Sequence, residues 1–207
     1  MQLKEIIGCE EELRAVMGTP TPRSVKKEIS RLDEYCRAFI ACSPFVMIAS
    51  SDATGCIDVS PRGDPAGFVQ VLDGSTLAIP DRPGNRRADT FTNVLQNPRV
   101  GLLFLIPGKP ETLRVNGRAL VACDAWLRER MAVAGKIPAL ALVVTIEQAF
   151  IHCAKCMLRS GLWLPERWPD TRGVPTQAEF LRAHARLDES IEAIQASIDH
   201  SRKADLY

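Results

Sequence analysis

The residues best equipped for chemistry crowd into one stretch, Pro80-Asp81-Arg82-Pro83-Gly84-Asn85-Arg86-Arg87. Here a strand-like run ends, turns through Pro-Gly and enters a helix-like run. Free backbone N–H groups at a helix start bind anions, and adjacent guanidinium groups strengthen such a site through charge-assisted hydrogen bonds. Arginines at a helix start also oppose the helix dipole, a penalty that a bound phosphate removes. The competing reading is a solvated arginine pair on a surface turn. Between Arg82 and Arg118 there are seven bases (Arg82, Arg86, Arg87, Arg99, Lys109, Arg114, Arg118) against Asp89 and Glu111, a local net charge of +5. Neither the P-loop pattern nor a G-x-G-x-x-G after a strand occurs, so a nucleotide site of those two kinds is excluded.

Three further groups carry potential chemistry. Asp58-Val59-Ser60-Pro61-Arg62-Gly63-Asp64 ends a strand-like run on a polar turn, a placement that often carries function. Leu113-Arg114-Val115-Asn116-Gly117-Arg118 reads either as a hairpin around Asn-Gly or as one strand bulged at Gly117 where a ligand approaches the backbone. His152-Cys153-Ala154-Lys155-Cys156-Met157-Leu158-Arg159-Ser160 follows the last long strand, with Trp163 and Trp168 soon after. Exposed Trp beside Lys and Arg suits an aromatic phosphate, whereas buried Trp is a packing residue. Cys153 and Cys156 have redox or zinc spacing, but no second Cys-x-x-Cys completes a zinc set and no βαβ context supports thioredoxin-like work. They read as structural thiols, and no metal site is expected. No Ser-His-Asp, His-Glu-x-x-His or paired-carboxylate pattern asks for hydrolysis, and no catalytic acid or base can be assigned.

The elements that must position these groups follow from periodicity. Val25, Ile29, Leu32, Cys36 and Phe39 form a helical stripe with Ser24 as N-cap, closed by Pro44. Seven β-branched or aliphatic runs follow, at 45–51, 56–60, 67–72, 75–80, 99–106, 112–121 and 139–151, separated by turn residues. Short strands with brief turns favour an antiparallel barrel or sandwich over a parallel sheet. Helical inserts are predicted at 86–95 and about 124–133. Leu187, Ile191, Ile194 and Ile198 follow a coiled-coil spacing with Phe180 one heptad upstream, which fits either a helix docked on its own barrel or a subunit contact. The predicted organisation is a single domain over 1–207: N-terminal helices at 1–43, a barrel core at 44–168 and a C-terminal helix at 174–203.

Composition bounds the function. The 207 residues are 46% hydrophobic and 25% charged, as in a globular protein. With 26 Lys and Arg against 25 Asp and Glu, the formal net charge of +1 argues against a nucleic-acid binder or a polybasic membrane-surface protein. Apolar runs such as Val100–Pro107 are strand-sized, and the acidic start lacks a signal-peptide core, so a cytoplasmic location is expected. In a reducing compartment the seven cysteines read as free, mostly buried thiols.

Taken in order, DVSPRGDPAGFV (58–69), TLAIPDRPGNRRADTFTNVLQNPRVGLLFLIPG (76–108), ETLRVNGRAL (111–120) and HCAKCMLRSGLW (152–163) resemble the pyridoxamine 5′-phosphate oxidase-like flavoproteins, in particular a bacterial subgroup of FMN-dependent enzymes. The resemblance spans about Ser43 to Trp168 and implies a mainly β (α+β) fold, the antiparallel FMN-binding split β-barrel, with helices at both ends. It implies a homodimer with FMN at the subunit interface and an oxidoreductase acting on a small molecule. It places Asn85, Arg86 and Arg87 on the flavin phosphate, Ser60 and Arg62 beside the ring system, and Arg114 facing the cofactor. Lys155, Arg159, Ser160 and Trp163 would reach the FMN of the partner subunit. Hydride would arrive at or leave the flavin N5, with Ser60 a candidate hydrogen-bonding partner and Arg62, Arg114 or Lys155 candidate charges near N1. The family's oxidase grips its substrate with an Arg and His pair near the C-terminus. Here that region reads WLPERWPDTRG without histidine, which argues against vitamin B6 as substrate. The alternative function is a non-catalytic flavin- or haem-binding protein on the same barrel, with His152 as a candidate haem ligand.

Overall fold

The computed structural model describes residues 2–207. In chain order the helices are α1 (Glu10–Met17), α2 (Pro22–Lys26), α3 (Glu34–Cys42), α4 (Asp89–Gln96), α5 (Ala125–Arg130), α6 (Lys155–Ser160), α7 (Gln177–Ala185) and α8 (Ile191–Ala204). The strands are β1 (Phe45–Ser51), β2 (Ile57–Gly63), β3 (Gln70–Val71), β4 (Thr76–Pro80), β5 (Arg99–Leu105), β6 (Thr112–Ala122) and β7 (Ala141–His152). They form one antiparallel sheet in the order β2-β1-β5-β6-β7-β4-β3. This is an α+β fold consistent with a split barrel, in which the sheet stays open at β2 and β3.

Alternation sets the faces. Val46, Ile48 and Ser50 of β1 are buried and pair with Arg62, Ser60 and Asp58 of β2. Directly opposed residues share a face, so one face of β2 carries these three polar side chains. Its other face exposes Ile57 and Val59. Pro61 has no N–H to give to a ladder, which suits an edge strand. Phe91 and Val94 of α4 join Val46, Ile48, Leu102, Phe104 and Val115 in the main core. Asn93 of α4 donates to Ser50 Oγ at 3.1 Å, fixing the helix over β1.

Several sequence expectations change. The stripe over 25–39 is two helices, not one. Thr21, not Ser24, caps α2, and Asp33 caps α3 by accepting the Cys36 N–H at 2.8 Å. Between them Ile29 leaves the helix and exchanges backbone hydrogen bonds with Ala149 of β7, at 3.0 and 2.7 Å. A tertiary strand-like pair outweighs the local helical period. The predicted helix over 174–203 is likewise divided, because Arg186 turns into the left-handed region (φ 53°) and Ser190 caps a new helix. Leu187 lies in the break, so the heptad spacing does not run along one helix. The thiols are not mostly buried: Cys36 alone is, and the other six are exposed.

The Arg-Val-Asn-Gly segment resolves into one strand with a bulge at Asn116/Gly117. A Cβ on Gly117 would collide with the Thr145 carbonyl oxygen. The close approach that selects glycine is therefore made by strand β7, not by a ligand.

Candidate functional site

A cleft of about 980 Å³ opens beside the polar face of β2. Asp58, Ser60 and Arg62 form one wall. The turn after β4, through Asn85, Arg86 and Arg87, forms the second, and the loop before β7 forms the third. The last wall is brought in by pairing: β4 aligns with β7, and the Asp81 N–H donates to the Leu140 carbonyl at 2.9 Å.

The arginine turn has an unusual backbone. Arg86 and Ala88 both adopt positive φ, 60° and 58°, a conformation that L-residues with a Cβ seldom take. The predicted helical start at Arg86 is displaced by this path, and α4 begins at Asp89. Ala88 occupies its N-cap position without a side-chain cap, so the first-turn N–H groups have no capping partner. Arg87 forms an ion pair with Asp89 at 2.8 Å, while its own N–H is held by Asn85 Oδ1 at 3.1 Å. Among the described residues, the exposed guanidinium of Arg86 has no hydrogen-bond or ion-pair partner. Uncapped amides and an unpaired guanidinium at one turn are a donor set fit for a phosphate.

Along the β2 wall the charges are already paired. Arg62 meets Asp81 at 3.4 Å and lies 5.7 Å from the centre of the Phe91 ring. Burial raises the Asp81 carboxyl above its ordinary value, against the opposing pull of Arg62. Arg82 Nε donates to Asp64, whose side chain is only 1% exposed, and its Nη2 donates to the Met131 carbonyl at 2.9 Å. Thr90 Oγ1 donates to Asp58 at 3.1 Å, tying the start of α4 to β2.

The cleft thus gathers Ser60, Arg62, Asn85, Arg86 and Arg87. It does not include Arg114, Lys155, Arg159, Ser160 or Trp163. Arg114 lies near the other end of the long strands, its guanidinium carbon 4.1 Å from the Phe150 ring centre and its Nη2 on Gln148 Oε1 at 3.2 Å. Its buried Nε has no hydrogen-bond partner among the described residues. Lys155, Arg159 and Ser160 are exposed on α6. Trp163 is half-buried, and its indole donates to the Lys109 carbonyl at 2.9 Å.

The +5 stretch does not fold into one pocket. Arg99 and Arg118 face each other across β5 and β6, and Lys109 pairs with Glu111 at 3.5 Å. The cleft lining holds five bases (Arg62, Arg82, Arg86, Arg87, Lys136) against four acids (Asp58, Asp81, Asp89, Asp205). Three of those acids (Asp58, Asp81, Asp205) and two of the bases (Arg62, Lys136) come from outside the stretch. Lys136 and Tyr207, which also lines the cleft, gave no sequence signal, because only the tertiary path brings them there.

The family model for pyridoxamine 5′-phosphate oxidase matches residues 32–153, more than half of the chain. No curated protein sequence matches. Among solved structures, HupZ of Group A Streptococcus is 16% identical with a TM-score of 0.48, covering 58% of this chain and 93% of that one. General stress protein 26 of Bacillus anthracis is 12% identical, TM-score 0.44, with 56% and 88% covered. An FMN-binding protein of Syntrophomonas wolfei is 10% identical, TM-score 0.43, with 70% and 98% covered. With its matched segment running from Leu32 through α4 and both long strands to Cys153, the chain belongs to the pyridoxamine 5′-phosphate oxidase family.

Proposed function

We infer that the protein binds FMN in the β2 cleft as a homodimer and acts as an FMN-dependent oxidoreductase on a small molecule. The observation that carries this reading is the turn at Arg86, where an unpaired guanidinium adjoins the uncapped start of α4 beside a cleft large enough for a cofactor. Family membership supplies the cofactor class. Asn85, Arg86 and Arg87 would hold the phosphate, while Ser60 and Arg62 stand along the wall where the ring system would extend. Bound FMN supplies hydride and electron transfer, and the protein supplies position and charge. Arg62 suits a charge-stabilising role because Asp81 and Phe91 fix its position. Arg114, Lys155, Arg159, Ser160 and Trp163 fit the reading only through the partner subunit's site. A haem-binding reading of this cleft finds no support, since none of the three histidines lines it.

The test compares FMN with riboflavin, which lacks the phosphate, by quenching of flavin fluorescence. FMN should bind more tightly, and Arg86→Ala with Arg87→Ala should weaken FMN by roughly tenfold or more, about 1.4 kcal/mol per decade, while leaving riboflavin nearly unchanged. Equal affinities for the two flavins in the unaltered protein would remove the phosphate assignment.

A further inference from the structure

The last turn of α8 and the segment after it enter the same cleft. Ser201, Asp205 and Tyr207 all line it. Tyr207 is anchored in three ways. Its phenol donates to Asp64 Oδ1 at 2.7 Å, its ring centre lies 5.7 Å from the Arg82 guanidinium carbon, and its backbone oxygen accepts from Lys136 Nζ at 3.3 Å. These anchors come from the end of β2, the turn after β4 and the loop before β7. Asp64 is also the partner of Arg82, with its side chain 1% exposed, so the phenol meets a fixed buried ion pair and not a mobile surface carboxylate.

The position matters as much as the contacts. Asp58 tethers the start of α4 through Thr90, close to the arginine turn, and Asp64 lies six residues further along the chain. At about 3.3 Å per residue, Asp64, just beyond the lining residue Arg62, lies roughly 20 Å from Asp58. A ligand with a phosphate at the Arg86 turn and an aromatic system at its other end is directed along this wall toward Tyr207. The segment brings a flat ring, an acceptor oxygen and the Asp205 carboxylate to a cleft lined by five bases. Those are the groups that an aromatic anion would itself present.

We propose that Tyr207 is an intrasteric occupant of the Asp64 end of the cleft and competes there with the aromatic part of the ligand. The proposal rests on the flavin reading above and adds a regulation to that site: the aromatic end of FMN reaches the Asp64 end only when the phenol leaves Asp64 and the ring leaves Arg82. A cleft that is open only in a fraction of molecules binds with an affinity lowered by that fraction. Ligand access is then set by how firmly the segment after α8 is held.

Tyr35 and Tyr207 are the two tyrosines of the chain, so 3-fluorotyrosine labelling gives a two-signal fluorine NMR spectrum, assigned with Tyr35→Phe. In full-length protein the Tyr207 signal should lie away from its position in denaturant, and saturating FMN should move it toward that position. Tyr207→Ala should raise FMN affinity about threefold or more, by removing the competitor. FMN binding that leaves the Tyr207 signal in place, or a weakened affinity in Tyr207→Ala, would overturn the competition alone. Absence of FMN binding by both proteins, with Tyr207 still docked, would take down the flavin reading and the competition together.

Discussion

Arg86 and Arg87 are adjacent, yet the fold gives them different states. Arg87 is neutralised locally by Asp89, whose hydrogen bond and charge raise its pKa, whereas Arg86 is thrown outward by a positive φ and stays unpaired. The larger share of the phosphate affinity should accordingly come from Arg86, and Arg86→Ala alone should weaken FMN more than Arg87→Ala in the same titration. Gly117 shows the opposite kind of constraint, structural and not chemical. An added methyl group would meet the Thr145 carbonyl of a neighbouring strand, with no flexible side chain to yield. Gly117→Ala should destabilise the fold by about 3 kcal/mol or more in urea unfolding, a cost typical of overpacking against fixed backbone. A loss under 1 kcal/mol would mean that the bulge relaxes.

At the scale of elements, the far ends of β6 and β7 form a cationic cluster of their own. Lys27 lies 4.9 Å and Arg114 4.1 Å from the Phe150 ring centre, and His152 packs against the same ring at 5.0 Å. Burial first, then the charges of Arg114 and Lys27, lowers the His152 pKa. The folded state therefore holds fewer protons at this site than the unfolded chain near the ordinary histidine range. Stability on this account is fully present above the unfolded pKa of about 6.5 and falls as the pH drops toward the lowered folded value. His152→Gln should flatten that part of the stability–pH curve between about pH 5 and 7, measured by urea unfolding at each pH. An unchanged slope would show that His152 titrates normally.

The same scale shows what could be read from residues. Strands β1, β4, β5, β6 and β7 follow their β-branched runs closely, because alternation and turn residues are local properties. The arginine turn was visible for the same reason, whereas residues 61–63, read as a turn, continue β2 by pairing with β1. The broken helices at 27–33 and 186–190 were not, because their causes are tertiary: Ile29 pairs with Ala149, and new caps compete with a continuing apolar period. The walls formed by Lys136 and Tyr207 depend on contacts 71 and 143 residues apart in sequence, for which spacing carries no trace.

For the whole molecule, the balance of 26 bases against 25 acids persists inside the cleft, where five bases meet four acids. Most of those charges are already paired, so the site selects by the few donors left over and not by a broad positive field. No helix among the described residues is long and apolar enough to cross a membrane. The open sheet leaves β2 as an edge with exposed Ile57 and Val59 beside the cleft, and the proposed homodimer would cover such a surface. Light scattering should return about twice the chain mass of 22.8 kDa. A monomer that binds FMN with full affinity would contradict the dimeric site.

The central claim is that the β2 cleft holds FMN, and the visible absorption spectrum of the purified protein tests it most directly. The protein should be yellow, or become so on addition of FMN, with a bound-flavin spectrum, and should release FMN on denaturation. A colourless protein that takes up no added FMN would contradict the account.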